Sequence, residues 1–254
     1  MTPGIKTEID RYLRTGRADV YHSAWPSPSF FERAIQALDD LRGALIAEVR
    51  RRTQGINLPD LPTPEETVAL TRRKTEPMVR GLFPRAEQDT VLALVERSVV
   101  FLGSANIAAV LREESFDRAA WDLANLYLGS HGAELLGPEA RAVVGISQET
   151  TCFVSPTYFE EDDPFADFVV HEVAHIFHNC KRVTAELRAT RTREWMLDIW
   201  FPKRETFAYS CEAFARIVEG ARSFADRRAL AAAFAERFST SEERVDASEV
   251  VDIV

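Results

Sequence analysis

Residues 163–179 read DPFADFVVHEVAHIFHN, and this stretch decides the interpretation of the whole chain. Asp163 is a favourable N-cap and Pro164 suits the first helical position, so the pattern predicts a helix from here to about Asn179. Within it, residues 171–175 have the form HExxH. Histidines four residues apart lie on one face of a helix, so both imidazoles point toward the same place.

The HExxH residues predict a catalytic zinc site. His171 and His175 offer two imidazoles, which is half of a zinc site. Glu172 is placed to take a proton from a zinc-bound water and pass it to a leaving amine. His178 lies on the same face, where we expect it to line the cleft or contact a ligand rather than bind the metal. Asp167 has two interpretations, as acceptor for a ligand's second N–H or as an ordinary charge at a helix N-terminus.

The opposite side of this helix is apolar, which predicts that it packs into the core. The residues concerned are Phe165, Val169, Val173, Ile176 and Phe177.

A catalytic zinc needs a third protein ligand, for which the sequence offers three glutamates. The metzincin pattern is excluded because Lys181 stands where its third histidine would be. Glu194, Glu205 and Glu212 follow His175 by 19, 30 and 37 residues. Glu194 ranks last because no helix start precedes it.

Glu205 and Glu212 share a predicted helix from Pro202 to Gly220. The two carboxylates are separated by about 10 Å along the axis, so only one of them can bind the zinc. Two stripes run along this helix on about opposite sides. The polar stripe is Glu205, Tyr209, Glu212 and Arg216, and the apolar stripe is Phe207, Cys211, Phe214 and Val218. The polar stripe is either a solvated face or a cleft wall that lies over the HExxH helix.

The segments HEVAHIFHN and ETFAYSCEAFA resemble the active helix and the glutamate helix of gluzincin metallopeptidases, including compact bacterial members. The resemblance covers roughly residues 140–220. It implies a zinc peptidase with His171, His175 and a downstream glutamate as ligands. Glu205 and Glu212 both begin an E-x-F-A pattern, and the spacing of the compact members favours Glu205. Thermolysin-like enzymes carry an aspartate where this chain has Tyr209, which becomes a candidate for steadying an oxyanion.

Composition limits the remaining possibilities. The 254 residues carry 40 acidic and 31 Lys or Arg side chains, a net charge of -9, which disfavours binding to nucleic acid or to anionic membranes. There is no apolar run long enough to cross a bilayer and no signal-peptide pattern at the N-terminus. Three cysteines without paired spacing favour reduced thiols, so we expect a cytoplasmic protein.

The sequence predicts an α+β fold, mostly helical, with a zincin-like core and a small antiparallel β ribbon beside the HExxH helix. The ribbon is expected from the β-branched runs 142–147 and 150–155, and a further helix is expected around residues 87–102. We divide the chain into a helical region 1–139 of unassigned role, a catalytic core 140–238 and an acidic, frayed tail 239–254.

The function expected is hydrolysis of peptide bonds in a peptide or protein substrate, with zinc as cofactor, Glu172 as base and Tyr209 as a second catalytic group. The rival is a zinc-stabilised regulatory or binding protein that does not turn over.

Overall fold

A computed structural model describes residues 2–57, 60–189, 191–240 and 242–254. Most of this part of the chain is helical, and it also contains three short strands. The strands are β1 (Val99–Phe101), β2 (Gly145–Ser147) and β3 (Cys152–Val154). The helices are α1 (Pro3–Thr15), α2 (Phe30–Arg52), α3 (Pro64–Leu82), α4 (Arg85–Val95), α5 (Ile107–Glu113), α6 (Asp117–Ser130), α7 (Phe168–Asn179), α8 (Arg204–Gly220), α9 (Phe224–Arg237) and α10 (Ala247–Ile253).

Among the described residues, the strands form one mixed sheet in the order β1-β3-β2. β2 and β3 pair antiparallel, with Ile146 opposite Phe153, so the predicted hairpin is confirmed. β1 was not predicted, because residues 87–102 look like one continuous helix. Instead α4 ends at Val95 and Val99–Phe101 pairs parallel to β3. The run Val-Val-Phe suits a strand, and long-range pairing with β3 outweighs the local helical pattern.

The mostly helical α+β class is thus confirmed. The chain divides into two compact units, one of Met1–Leu61 with Leu102–Val144 and one of Pro62–Phe101 with Gly145–Val254. We call them unit 1 and unit 2. This division differs from the predicted boundary after residue 139, since α3, α4 and β1 belong to the same unit as the HExxH helix.

Unit 1 has its own core, built from α1, α2, α5 and α6. Tyr12, Leu41 and Trp121 are fully buried there. Arg42 is buried as well, and its guanidinium donates to Asp117 at 2.8 Å and to the Tyr12 hydroxyl at 3.0 Å. A buried charge of this kind needs such partners, because an unpaired one is costly to desolvate.

In unit 2, α7 lies against β2, β3, α3 and α8. Its predicted apolar side is buried, and Val169, Val173, Ile176 and Phe177 have no exposed surface. The helix ends at Asn179 as expected but begins later than predicted. Its N-cap is Asp167, whose Oδ1 accepts the N–H of Val170 at 3.2 Å. Asp163 instead holds a preceding turn, accepting the N–H of Phe165 at 2.9 Å.

Helix α8 begins at Arg204, after a 3₁₀ turn at Phe201–Lys203 that contains Pro202. The apolar stripe of this helix is not its buried side. Phe214 is exposed, and Phe207, Cys211 and Val218 are only partly buried. Glu212, on the polar stripe, is buried. The polar stripe packs toward α7, where its side chains find partners, so of the two interpretations the one that places it over the HExxH helix is correct.

The C-terminal residues also differ from the predicted frayed tail. Asp246 caps α10, accepting the N–H of Ser248 at 2.9 Å. Val250 is fully buried with Ala213 and Ile217 of α8 in one apolar cluster. No helix among the described residues is both long enough and apolar enough to cross a membrane.

Candidate metal centre

The predicted ligands His171, His175 and Glu205 come together in unit 2, between α7 and the first turn of α8. One ligand atom from each lies within 4.8 Å of the others. Oε2 of Glu205 is 3.7 Å from Nε2 of His171 and 3.5 Å from Nε2 of His175. At zinc–ligand distances near 2.0–2.2 Å, the corners of a tetrahedron are about 3.3–3.6 Å apart, and the two distances from Glu205 are close to this range.

Glu212 occupies the other nitrogen of the first histidine. Its Oε2 lies 2.9 Å from Nδ1 of His171, and its Oε1 accepts the backbone N–H of Asp167 at 2.6 Å. Because a carboxylate can only accept, Nδ1 of His171 carries a proton, and Nε2 is the nitrogen left to bind a metal.

His178 contacts Nδ1 of His175, as Glu212 contacts Nδ1 of His171. Nε2 of His178 lies 3.0 Å from Nδ1 of His175, and Nδ1 of His178 lies 3.2 Å from Oδ1 of Asn179. Burial lowers the pKa of His178 to about 4, so this ring is neutral at pH 7. The network assigns the proton of His175 to Nδ1 and again leaves Nε2 free. His178 therefore orients a predicted ligand, as expected.

The charges of the site favour a bound cation. Burial alone would lower the pKa of His171, but the neighbouring carboxylates of Glu205 and Glu212 outweigh it and raise this pKa well above the usual value. The nearby imidazoles of His171 and His175 in turn lower the pKa of Glu205. A proton and a metal ion would therefore compete for the imidazole of His171.

The carboxylate of Glu172 is held against strand β2. Ser147 donates to its Oε2 at 2.5 Å and to its backbone carbonyl at 2.7 Å. Gly145 makes room for it, because a Cβ at this position would overlap the carboxyl group of Glu172. Glycine inside a strand often marks such a close approach, and that signal is visible in the sequence. Ser147 has no local signal, and neither residue was predicted to belong to the site.

Asp167 and Glu194 do not contact the candidate ligand atoms. Asp167 caps α7 and pairs with Lys74 of α3 at 3.1 Å, so the interpretation as a helix N-terminal charge is correct. The side chain of Glu194 is largely exposed and pairs with Lys181 at 2.7 Å.

Tyr209 packs edge-on against His171, with ring centroids 4.8 Å apart. Its hydroxyl accepts a hydrogen bond from Thr240 at 3.5 Å. Tyr209 and Glu212 also line a cavity of about 210 Å³. The other walls include the aromatic rings of Phe165, Phe234 and Phe238.

Comparisons of the chain with protein-family models, with curated proteins and with solved structures return no match. The interpretation of the site therefore depends on its own geometry and chemistry.

Proposed function

We propose that this protein is a zinc-dependent peptidase, with α7 and α8 as the active helix and the glutamate helix of a gluzincin-type zincin core. The observation that carries the proposal is the pairing of both Nδ1 atoms. Glu212 and His178 hold His171 and His175 with their Nε2 atoms toward Oε2 of Glu205. Two imidazoles and one carboxylate are the ligand set of several catalytic zinc sites.

A zinc ion held by these residues would polarise a substrate carbonyl and make a bound water more acidic. The chain's own residues supply the rest. Glu172 takes a proton from the attacking water and gives it to the nitrogen of the scissile amide as the C–N bond breaks. Ser147 and Gly145 fix the direction of its carboxylate, and Tyr209 is the candidate for stabilising the oxyanion.

Glu172 also favours an enzyme over the rival, a zinc-stabilised regulatory or binding protein. A structural zinc site has no use for a carboxylate next to its first histidine, and structural sites are usually closed by four protein ligands. Here three candidate ligands come together among the described residues. The substrate is a peptide or protein, and the cytoplasmic location is a prediction from the cysteine content.

The experiment compares wild type with Glu172→Gln on a library of quenched fluorescent peptides, and zinc content is measured in parallel. We expect wild type to cleave and the variant to lose cleavage while it keeps its zinc. Glu236→Gln, an exposed residue of α9, is the matched control and should cleave like wild type. A wild type that holds zinc and cleaves nothing in the library would favour the rival.

A further inference from the structure

Arg244, in the C-terminal segment before α10, reaches the carboxylate that we assign to the metal. Its terminal nitrogen lies 3.0 Å from Oε1 of Glu205. Nε of the same guanidinium lies 2.8 Å from Oε1 of Glu242. The contact joins residues 39 positions apart, and the sequence gives no sign of it.

The segment is anchored on both sides of Arg244. Before it, Thr240 donates to the Tyr209 hydroxyl. After it, Val245 packs on the apolar cluster in which Val250 is fully buried. Lys203, immediately before α8, forms an ion pair with Glu249 of α10. Described residues on both sides of Arg244 therefore contact the helix that carries Glu205.

The two oxygens of Glu205 have different partners. Oε2 faces the Nε2 atoms of His171 and His175, whereas Oε1 faces Arg244. We propose that Arg244 is a positioning residue that reserves Oε1, so that Glu205 binds the metal through one oxygen only. A carboxylate bound through both oxygens would occupy the coordination position that a catalytic zinc keeps open. This inference rests on the proposed metal centre.

Two other roles fit less well. As an ordinary ion pair Arg244 would contribute little to stability, because its side chain is 54% exposed. As an anchor for a substrate carboxylate it would attract a third anion only weakly, since Glu205 and Glu242 already share its single positive charge. Holding Oε1 of Glu205 requires neither a large contribution to stability nor a third carboxylate at the same guanidinium.

The test uses the full chain as wild type, Arg244→Ala and Arg244→Lys, with Arg228→Ala as the matched control on an exposed part of α9. Thermal unfolding of the metal-free proteins first checks that each variant folds. Zinc affinity is then measured by competition with a chromophoric chelator, and the coordination number from the visible absorption of Co²⁺ bound in place of zinc.

We expect Arg244→Ala to bind zinc about 10- to 100-fold more weakly, which is the usual cost of losing a residue that orients a ligand. Its Co²⁺ absorption should lose intensity, because a second carboxylate oxygen raises the coordination number. Arg244→Lys keeps a donor and should lie between wild type and alanine. Arg228→Ala should match wild type in both measurements.

The inference is overturned if Arg244→Ala matches Arg228→Ala in zinc affinity and in Co²⁺ absorption while wild type binds both metals. Neither readout depends on turnover. A wild type that binds zinc but cleaves no peptide would therefore contradict the proposed function and leave the role of Arg244 standing. A wild type that binds no zinc would contradict both the proposed function and the role of Arg244.

Discussion

Glu212 lies 2.9 Å from Nδ1 of His171 and so binds the nitrogen that faces away from Glu205. Its second oxygen is held by the backbone N–H of Asp167. With both oxygens engaged, Glu212 fits the role of orienting His171, and Glu205 is left as the better candidate ligand. The first turn of α8 thus carries the candidate ligand Glu205, while the third turn carries Glu212, which holds the far side of His171.

The first prediction concerns the metal itself. Purified protein should contain about one equivalent of zinc by elemental analysis, and His171→Ala should lose it because one of three protein ligands is gone. His22→Ala, in unit 1, should keep the zinc. Full zinc occupancy in His171→Ala would contradict the assignment.

The second prediction separates the two glutamates of α8. Glu205→Ala should weaken zinc binding as severely as the loss of one histidine, because it removes a ligand. Glu212→Gln should cost about 10- to 100-fold in affinity or turnover, because it only disturbs the orientation of His171. Competition with a chelator measures the zinc affinity of both variants. If Glu212→Gln were the more severe variant, the roles would have to be exchanged.

The third prediction concerns Gly145, which leaves room for the carboxylate of Glu172. In Gly145→Ala the new methyl group displaces the Glu172 carboxylate, so kcat should fall by at least about tenfold, the worth of one hydrogen bond to a charged group. Zinc content should not change. Gly81→Ala in α3 is the matched control, since a Cβ there meets no atom within 4 Å. Equal kcat in the two variants would show that Glu172 needs no such support.

The fourth prediction concerns the Tyr209 hydroxyl. Tyr209→Phe keeps the ring that packs on His171, so zinc content and thermal stability should stay close to wild type. If the hydroxyl stabilises an oxyanion, kcat should fall by about 10²-fold. An unchanged kcat would assign Tyr209 to packing alone.

The fifth prediction is a pH dependence in unit 1. Hydrogen bonds from Arg51 and Arg52, opposed by partial burial, lower the pKa of Glu48 from 4.5 to about 2. Because the pKa is lower in the folded protein, this carboxylate stabilises the fold above about pH 4.5 and loses that effect as the pH falls toward 2. Glu48→Gln should therefore cost roughly 1 kcal/mol at pH 7, since the group is partly exposed.

Chemical unfolding at several pH values checks this prediction. The difference between wild type and Glu48→Gln should narrow steadily below pH 4.5. Asp39→Asn, which removes an exposed carboxylate of the same helix, is the matched control. A difference that stays constant down to pH 3 would mean that the ion pair is not the cause.

The sequence by itself determined the features that depend on local spacing. The interval of four residues places His171 and His175 on one face of α7, and the apolar residues on the opposite side determine which side enters the core. The two β-branched runs determine the hairpin of β2 and β3 in the same way. Each of these features depends on residues only a few positions apart, so the periodicity of the sequence reveals it.

Only the tertiary structure decided what depends on distant partners. The polar stripe of α8 turns inward because α7 supplies partners for Glu205 and Glu212, so hydrogen bonding outweighs the helical wheel. β1 exists because β3 is there to pair with it. Arg244 meets Glu205 because α10 buries Val250 against α8. Such contacts close long loops of chain, and their free energy comes from packing that no local pattern encodes.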